Sequence, residues 1–259
     1  MPHAMTGDPA PVAARLHVTA PLGPDAAVAL DEARAHYLRD VLRLGIGDQV
    51  ALFNGRDGEW RARIDTLGKR GATLACAAQL RGQTVEPDLW LLFAPIKRGR
   101  IDFIAEKATE LGVSLLWPVM TRRTNVGRVN VDRLAANARE AAEQTERLSV
   151  PEIRPPETLE RVLAGFPSGR RLIVCDETGR SPPIARVVGD AAKSRGGWAI
   201  LTGPEGGFAP DELDALLKLP FGTSVGLGPR VLRADTAALA ALAVFQALAG
   251  DWSGPSDPV

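Results

Sequence analysis

Leu201-Thr202-Gly203-Pro204-Glu205-Gly206-Gly207-Phe208 carries the densest chemical signal in the chain. It sets three glycines and a carboxylate between a strand-sized apolar run and a helical segment. Glycines let the main chain take unusual angles and let a ligand approach the backbone closely. Further on, a second strand-sized run ends in Gly226-Leu227-Gly228-Pro229-Arg230-Val231-Leu232-Arg233. Ligands in open α/β sheets sit outside the carboxyl ends of strands, so two such loops can wall one pocket. A pocket of backbone and apolar groups suits a purine-bearing cofactor that brings its own reactive group. Spacing alone supports a pair of tight turns equally well.

Other chemistries lack their signatures. No G-x-G-x-x-G opens a helix and no G-K-[ST] follows the glycines, so the dinucleotide and P-loop fingerprints are missing. No G-x-S-x-G elbow appears, and no nucleophile stands beside a histidine. His3, His17 and His36 stand apart and no cysteines are closely spaced, which argues against a metal site.

The elements that must position these loops fall into two regimes. From Arg15 to about Gln83 the runs are short and β-like: Leu16-His17-Val18, Val50 to Phe53, Arg61 to Asp65 and Ala72 to Ala77. Asn54-Gly55 and Asp57-Gly58 are turn signals between them. One helix is predicted over Ala33 to Arg43. Short strands with glycine turns predict a small barrel over residues 12–83. After a linker at Gln83 to Pro87, strands alternate with helices over residues 84–252. Predicted strands are Leu89 to Ala94, Leu115 to Val119, Arg171 to Cys175, Ala199 to Thr202 and Thr223 to Leu227. Predicted helices are Ile101 to Leu111 (closed by Gly112), Val131 to Leu148, Ile184 to Lys193, Asp211 to Leu219 and Ala234 to Ala249. That alternation predicts a parallel α/β sheet. Residues 1–11 and Ser253 to Val259 read as loose tails.

The 259 residues suffice for a packed core without staples. Lys plus Arg is 31 and Asp plus Glu is 31, so the chain is not a polycation that coats any nucleic acid; an RNA partner would be recognised by shape. Cys76 and Cys175 lie far apart, which argues against a disulfide framework and for a reducing cytoplasm. Met1 to Ala14 lacks the regions of a secretory signal. The most apolar stretch, Thr236 to Ala249, falls short of the roughly 20 residues of a membrane span. No membrane association is expected.

The two loops, Gly203 to Phe208 and Leu227 to Arg233, resemble the signature of the RsmE family, the 16S ribosomal RNA (uracil-1498-N3) methyltransferases of the SPOUT superfamily. The likeness covers most of the chain. Lys107-Ala108-Thr109-Glu110-Leu111-Gly112-Val113 is similar to the family's K-A-T-E-L-G-V segment. Glu140-Ala141-Ala142-Glu143-Gln144 with Arg147, and Val150-Pro151-Glu152-Ile153, resemble its E-A-x-E-Q-x-x-R and V-P-x-I elements. His36, Leu38, Val41-Leu42-Arg43 and Gly47-Asp48 resemble its N-terminal elements. Three positions depart. Asp235-Thr236 stands where Glu-Thr is usual, Tyr37 where a second histidine is common, and Ala209 where many members carry a helix-capping serine. Asp211 is the expected substitute cap.

The resemblance implies an α/β fold: a C-terminal trefoil-knot (SPOUT) domain with an N-terminal PUA-like β-barrel. It implies S-adenosylmethionine as cofactor, 16S ribosomal RNA in the small subunit as partner, and a homodimer with its pocket near the interface, to which the 237–249 helix could contribute. It assigns the cofactor to Leu201, Thr202, Gly203, Glu205, Gly206, Leu227, Gly228, Leu232 and Thr236. Attack on a sulfonium methyl needs no metal or covalent nucleophile, so catalysis would rest on positioning and electrostatics. Arg230 and Arg233 would stabilise charge on the uracil, with Asp235 as proton acceptor or arginine orienter. A structural ion pair of these arginines with Glu205 or Asp235 is an equally good reading. RNA contacts are expected at Arg15, Arg39, Arg43, Lys97, Arg98, Arg100, Arg123 and Arg147, since basic side chains hold phosphates. For any single arginine, a solvated face is the simpler reading. Glu110 and Gln144 carry no derivable role, and the five tryptophans read as packing.

Two other readings compete. One is methyl transfer by the same superfamily to a ribose hydroxyl or a guanine. The other is a ribosomal RNA-binding assembly factor without catalysis. A nucleotide-binding enzyme is more distant, since its phosphate fingerprints are missing.

Overall fold

The computed structural model describes residues 12–191 and 196–253. The tail at residues 1–11, the tail after Ser253, and residues 192 and 193 of the predicted 184–193 helix lie outside the described residues. Ser253 itself closes a short 3-10 turn, Asp251–Ser253. The chain divides into two compact units. One runs to Thr84 and also contains Glu146–Ser149; the other holds Val85–Thr145 and the chain from Val150 onward.

The first unit is built on strands β1 (Arg15–His17), β2 (Ala27–Leu30), β3 (Gln49–Phe53), β4 (Glu59–Leu67) and β5 (Ala72–Arg81), in the order β1-β3-β4-β5-β2. Alternation makes the sheet: Trp60, Ala62 and Ile64 of β4 are buried, while Arg61, Arg63 and Asp65 are not. The turn between β3 and β4 is the one that Asn54-Gly55 and Asp57-Gly58 predict. Both glycines have positive φ, and Asn54 Oδ1 accepts from the amides of Arg56 and Asp57. Among the described residues no pairing joins β1 to β2. The predicted 33–43 helix is two pieces. Helix α1 (Glu32–His36), capped by Asp31, runs into one π turn, Tyr37–Val41, and Arg43 at φ 58° stops it. β2 was not predicted, because Ala27–Leu30 has neither branched-residue density nor a flanking turn dipeptide.

A charged group sits inside this unit. Glu59 is 5% exposed. Its carboxylate pairs with Arg15 Nε at 2.5 Å and Arg81 Nε at 2.7 Å. Burial opposes its charge, but these two guanidinium groups outweigh that and hold the carboxyl below its ordinary range. Arg15 also donates to the Arg147 carbonyl at 3.0 Å, and Arg81 to the Glu146 carbonyl at 2.9 Å.

The second unit is a parallel sheet of β6 (Leu89–Phe93), β7 (Leu115–Met120), β8 (Glu152–Ile153), β9 (Glu157–Thr158), β10 (Arg171–Cys175), β11 (Trp198–Thr202) and β12 (Gly222–Val225). Its order is β12-β10-β11-β6-β7-β8, with β9 also on β7. The helices are α2 (Arg98–Glu110), α3 (Val131–Gln144), α4 (Leu159–Ala164), α5 (Ile184–Ala191), α6 (Pro210–Leu217) and α7 (Ala234–Ala249). β6 is buried along its whole length because both faces are covered. Leu89, Leu91 and Phe93 pack with residues of α2, α5 and α7, such as Ile104, Val188 and Phe245. Trp90 and Leu92 pack with Leu159, Val162 and Leu213 of α4 and α6. Four tryptophans pack as expected: Trp60, Trp90 and Trp198 are buried and Trp117 packs half-buried against Trp90, whereas Trp252 is 54% exposed.

The helix predicted to reach Leu148 ends at Gln144. Glu146, at φ 60°, takes the left-handed position that glycine usually fills, and the next residues join the first unit. α4, β8 and β9 were not predicted; they are two to six residues long and carry no period. Among the described residues no helix is long and apolar enough to cross a membrane, and no group of three His, Cys, Asp or Glu could hold a metal.

Candidate functional site

The chain lays β11 between β10 and β6, so the carboxyl ends of β12, β10 and β11 stand side by side. Their three loops wall a cavity of about 440 Å³, within the range of small-molecule sites. Thr202 to Glu205 with Gly207, and Gly226 to Arg233, contribute two walls. The third comes from Asp176, Glu177, Thr178 and Gly179 after β10, and Ala234 and Ala237 of α7 complete the lining.

Each loop is fixed by its own chemistry. Asp176, 6% exposed, accepts from the Thr178 amide at 2.9 Å, the Thr178 hydroxyl at 2.8 Å and the Ser181 hydroxyl at 2.7 Å. Burial opposes its charge, yet these bonds prevail and hold its carboxyl below the ordinary range. The Gly226 amide donates to Pro182 O at 2.8 Å and its carbonyl accepts from Ile184 N, so the β12 loop is tied to the β10 loop. In the β11 loop, Gly207 sits at φ 68° and donates to Pro204 O at 2.9 Å. A Cβ on Gly203 would press the Phe208 ring at 3.1 Å, and Phe208 is buried beneath the loop. Cys175 lines the cavity, and burial pushes its thiol up to about 12, which disfavours the nucleophilic thiolate at neutral pH.

The structure brings most of the expected cofactor residues together. Thr202, Gly203, Glu205, Leu227, Gly228 and Leu232 line the cavity. Leu201, Gly206 and Thr236 do not: Leu201 is core, Gly206 faces outward, and Thr236 is exposed on α7. Arg230 and Arg233 line the cavity with exposed side chains, and among the described residues neither pairs with a carboxylate. The ion pair considered for them with Glu205 or Asp235 is therefore not formed. Asp235 turns away from the cavity, pairing with Arg100 at 3.6 Å and accepting from the Thr236 amide at 2.9 Å. The Asp176 loop escaped sequence reasoning. Its signal was an apolar run followed by Asp-Glu-Thr-Gly, the same strand-then-glycine form as the other two loops.

The basic residues scatter. Arg15 and Arg147 are interior: Arg15 pairs with Glu59 and lies 4.6 Å over the Phe53 ring, and Arg147 is 9% exposed and donates to Ser149 Oγ. Such buried groups cannot grip a phosphate from solvent. Arg39 pairs with Asp40 at 2.5 Å and donates to Gly68 O at 2.8 Å. Arg100 is taken by Asp235. Arg43, Lys97 and Arg123 are exposed, and Arg123 donates to Gly206 O at 2.8 Å. The side chain of Arg98 lies outside the described residues. Glu110 pairs with Lys107 at 2.7 Å on α2, and Gln144 is exposed at the end of α3. Asp211 does not cap α6; it pairs with Arg122 at 2.6 Å. The Ala209 amide is met instead by Glu212, at 3.0 Å.

Known proteins bear on this geometry. The RNA methyltransferase domain family matches residues 84–246, and the RNA methyltransferase PUA domain family matches residues 30–75. The chain is 33% identical over 235 residues to ribosomal RNA small subunit methyltransferase E of Rickettsia conorii, covering 90% of this chain and 95% of that protein. Its structure is similar to that of the same enzyme from Neisseria gonorrhoeae bound to S-adenosyl methionine, with TM-score 0.83, 27% identity, and 92% and 99% of the two chains covered. A Legionella pneumophila methyltransferase in complex with the same cofactor gives TM-score 0.77 at 28% identity, with 92% and 98% covered. With its α/β unit matching the first of these families over more than half of the chain and its N-terminal unit matching the second, the chain belongs to the RNA methyltransferase family of the ribosomal RNA small subunit methyltransferase E proteins.

Proposed function

We propose that this chain is an S-adenosylmethionine-dependent methyltransferase that modifies N3 of one uridine in 16S ribosomal RNA. We propose that it does so on the small subunit, as a cytoplasmic homodimer with the family's trefoil knot. The observation that carries the reading is the cavity of about 440 Å³ at three adjacent strand ends, walled by glycine backbone and by Leu227 and Leu232. These groups fit an adenosine with an amino-acid arm. Gly203 and Gly228 let the main chain come close, Leu227 and Leu232 exclude water, and the first turn of α7 brings backbone N–H groups toward a carboxylate.

The cofactor, when bound, supplies an electrophilic methyl group on a sulfonium. The chain's own task is to hold the uracil in line and stabilise the charge that N3 acquires as its proton leaves. Arg230 and Arg233, unpaired at the cavity, are free to face a uracil oxygen. Asp235, held by Arg100, is a positioning group rather than the proton acceptor. Arg43 and Lys97 are the expected cations left in solvent to meet phosphate.

The test is a methyl-transfer assay with labelled cofactor on small subunits that lack the modification, followed by nucleoside analysis. The expected product is 3-methyluridine at one position. Label in a ribose or a guanine would move the chain to a sister specificity. Cofactor binding without transfer would favour an assembly factor.

A further inference from the structure

The turn after β7 is locked to the β11 loop from behind. Thr121 and Thr124 close the turn reciprocally: Thr121 N donates to Thr124 Oγ1 at 3.0 Å, and Thr124 N to Thr121 O at 3.1 Å. This leaves Arg122 and Arg123 at its tip. The Arg122 amide donates to Glu212 Oε1 at 2.8 Å, and the other oxygen of this buried carboxylate takes the Ala209 amide. One glutamate thus fastens both segments. Arg123 then reaches over to Gly206 O, 2.8 Å from its guanidinium, although β6 separates β7 from β11 in the sheet. Its aliphatic stem lies along Gly206, where a Cβ would sit 3.7 Å from Arg123 Cδ. Gly206 is off the cavity wall while its neighbours Glu205 and Gly207 are on it.

We infer that Arg123 is a positioning residue for the cofactor loop, acting through the Gly206 carbonyl, rather than an RNA-gripping residue. It braces residues 203–207 from outside and fixes the wall that Glu205 and Gly207 form. This rests on the S-adenosylmethionine reading of the cavity. The charge argument sharpens it. The cofactor carries a net positive charge, so deleting a nearby cation would on Coulomb grounds tighten binding. A brace predicts the opposite sign.

The experiment titrates the full-length protein, Arg123→Ala, Arg123→Lys and, as a control at an exposed arginine of the segment before α3 that does not line the cavity, Arg128→Ala with S-adenosylmethionine. Amide hydrogen exchange of residues 203–209 is followed in the ligand-free proteins. Arg123→Ala is expected to raise Kd about five- to tenfold and to speed exchange in the loop, with kcat at saturating cofactor unchanged. Arg123→Lys should recover part of the loss, and Arg128→Ala should change neither readout. Unchanged Kd and exchange in Arg123→Ala, with a raised KM for RNA and a shallower salt dependence, would overturn the inference. Should Arg123→Ala not fold, wild-type affinity and exchange in Arg123→Lys together overturn it. A wild-type protein that ignores the cofactor overturns the cofactor reading alone; the exchange rates then decide whether Arg123 holds the loop.

Discussion

The carboxylate of Glu177, after β10, occupies the space beside Gly207, after β11, that a side chain there would enter. Gly207 also sits at φ 68°, in the left-handed region. Glu177 is exposed and can swing away, so the backbone conformation sets the cost of a substitution. Gly207→Ala is expected to lose about 1–2 kcal/mol of stability, measured by urea unfolding. Adding Glu177→Ala should recover little of it. Full recovery in the double variant would show that the overlap, not the φ angle, dominates.

Arg230 and Arg233 are the cavity's cations without a carboxylate partner, so their removal should leave the fold intact. Arg230→Ala is expected to reduce turnover by roughly a hundredfold, the scale of losing one charge-stabilising donor. Cofactor affinity and Tm should stay near wild type. Single-turnover kinetics at saturating cofactor reads this directly; full turnover would remove Arg230 from the chemistry.

Gln246 of α7 is fully buried and joins the ends of two helices. Its Nε2 donates to Leu111 O at 2.7 Å, and its Oε1 accepts from Asp251 N at 3.2 Å. Gly112, at φ 81°, has no side chain because the amide fills that place. Gln246→Leu keeps the volume but strands a carbonyl and an amide, so a loss of about 2 kcal/mol is expected in chemical denaturation. A neutral result would mean water replaces both bonds.

Glu59 makes the first unit sensitive to acid. Its folded pKa lies below its unfolded value, so its contribution is complete above the ordinary carboxylate range. That contribution is lost as pH falls through the folded pKa. At neutral pH, Glu59→Gln is expected to cost about 3 kcal/mol, since it removes the buried carboxylate charge that Arg15 and Arg81 share. The gap between variant and wild type should narrow below about pH 4. Parallel unfolding curves across that range would refute the assignment.

Much of the second unit was legible because its signals are local. The α7 span was read at its observed bounds, Ala234–Ala249, and β10 likewise, because continuous apolar runs there meet clear breaks. The glycine loops stood out for the same reason. What was missed depends on residues far apart. Nothing local in Arg171–Cys175 says that β10 will lie between β11 and β12, so Asp176 to Gly179 could not be seen as a third wall. Arg15 and Arg147 looked like surface cations. Glu59, 44 residues beyond Arg15, turns the first inward together with the Arg147 carbonyl and the Phe53 ring. Glu146 ends α3 without the glycine that usually announces such a stop.

β11 lies between β10 and β6 yet follows both in the chain, so the sheet beneath the cavity is continuous only once β11 has been made. Every residue on the cavity wall lies between Cys175 and Ala237. A nascent chain that has emerged only as far as Gly179 holds one wall of three and an unfilled slot in the sheet. Ligand capture by a growing chain therefore reports that β11 has been placed, which makes binding competence a readout of finished assembly.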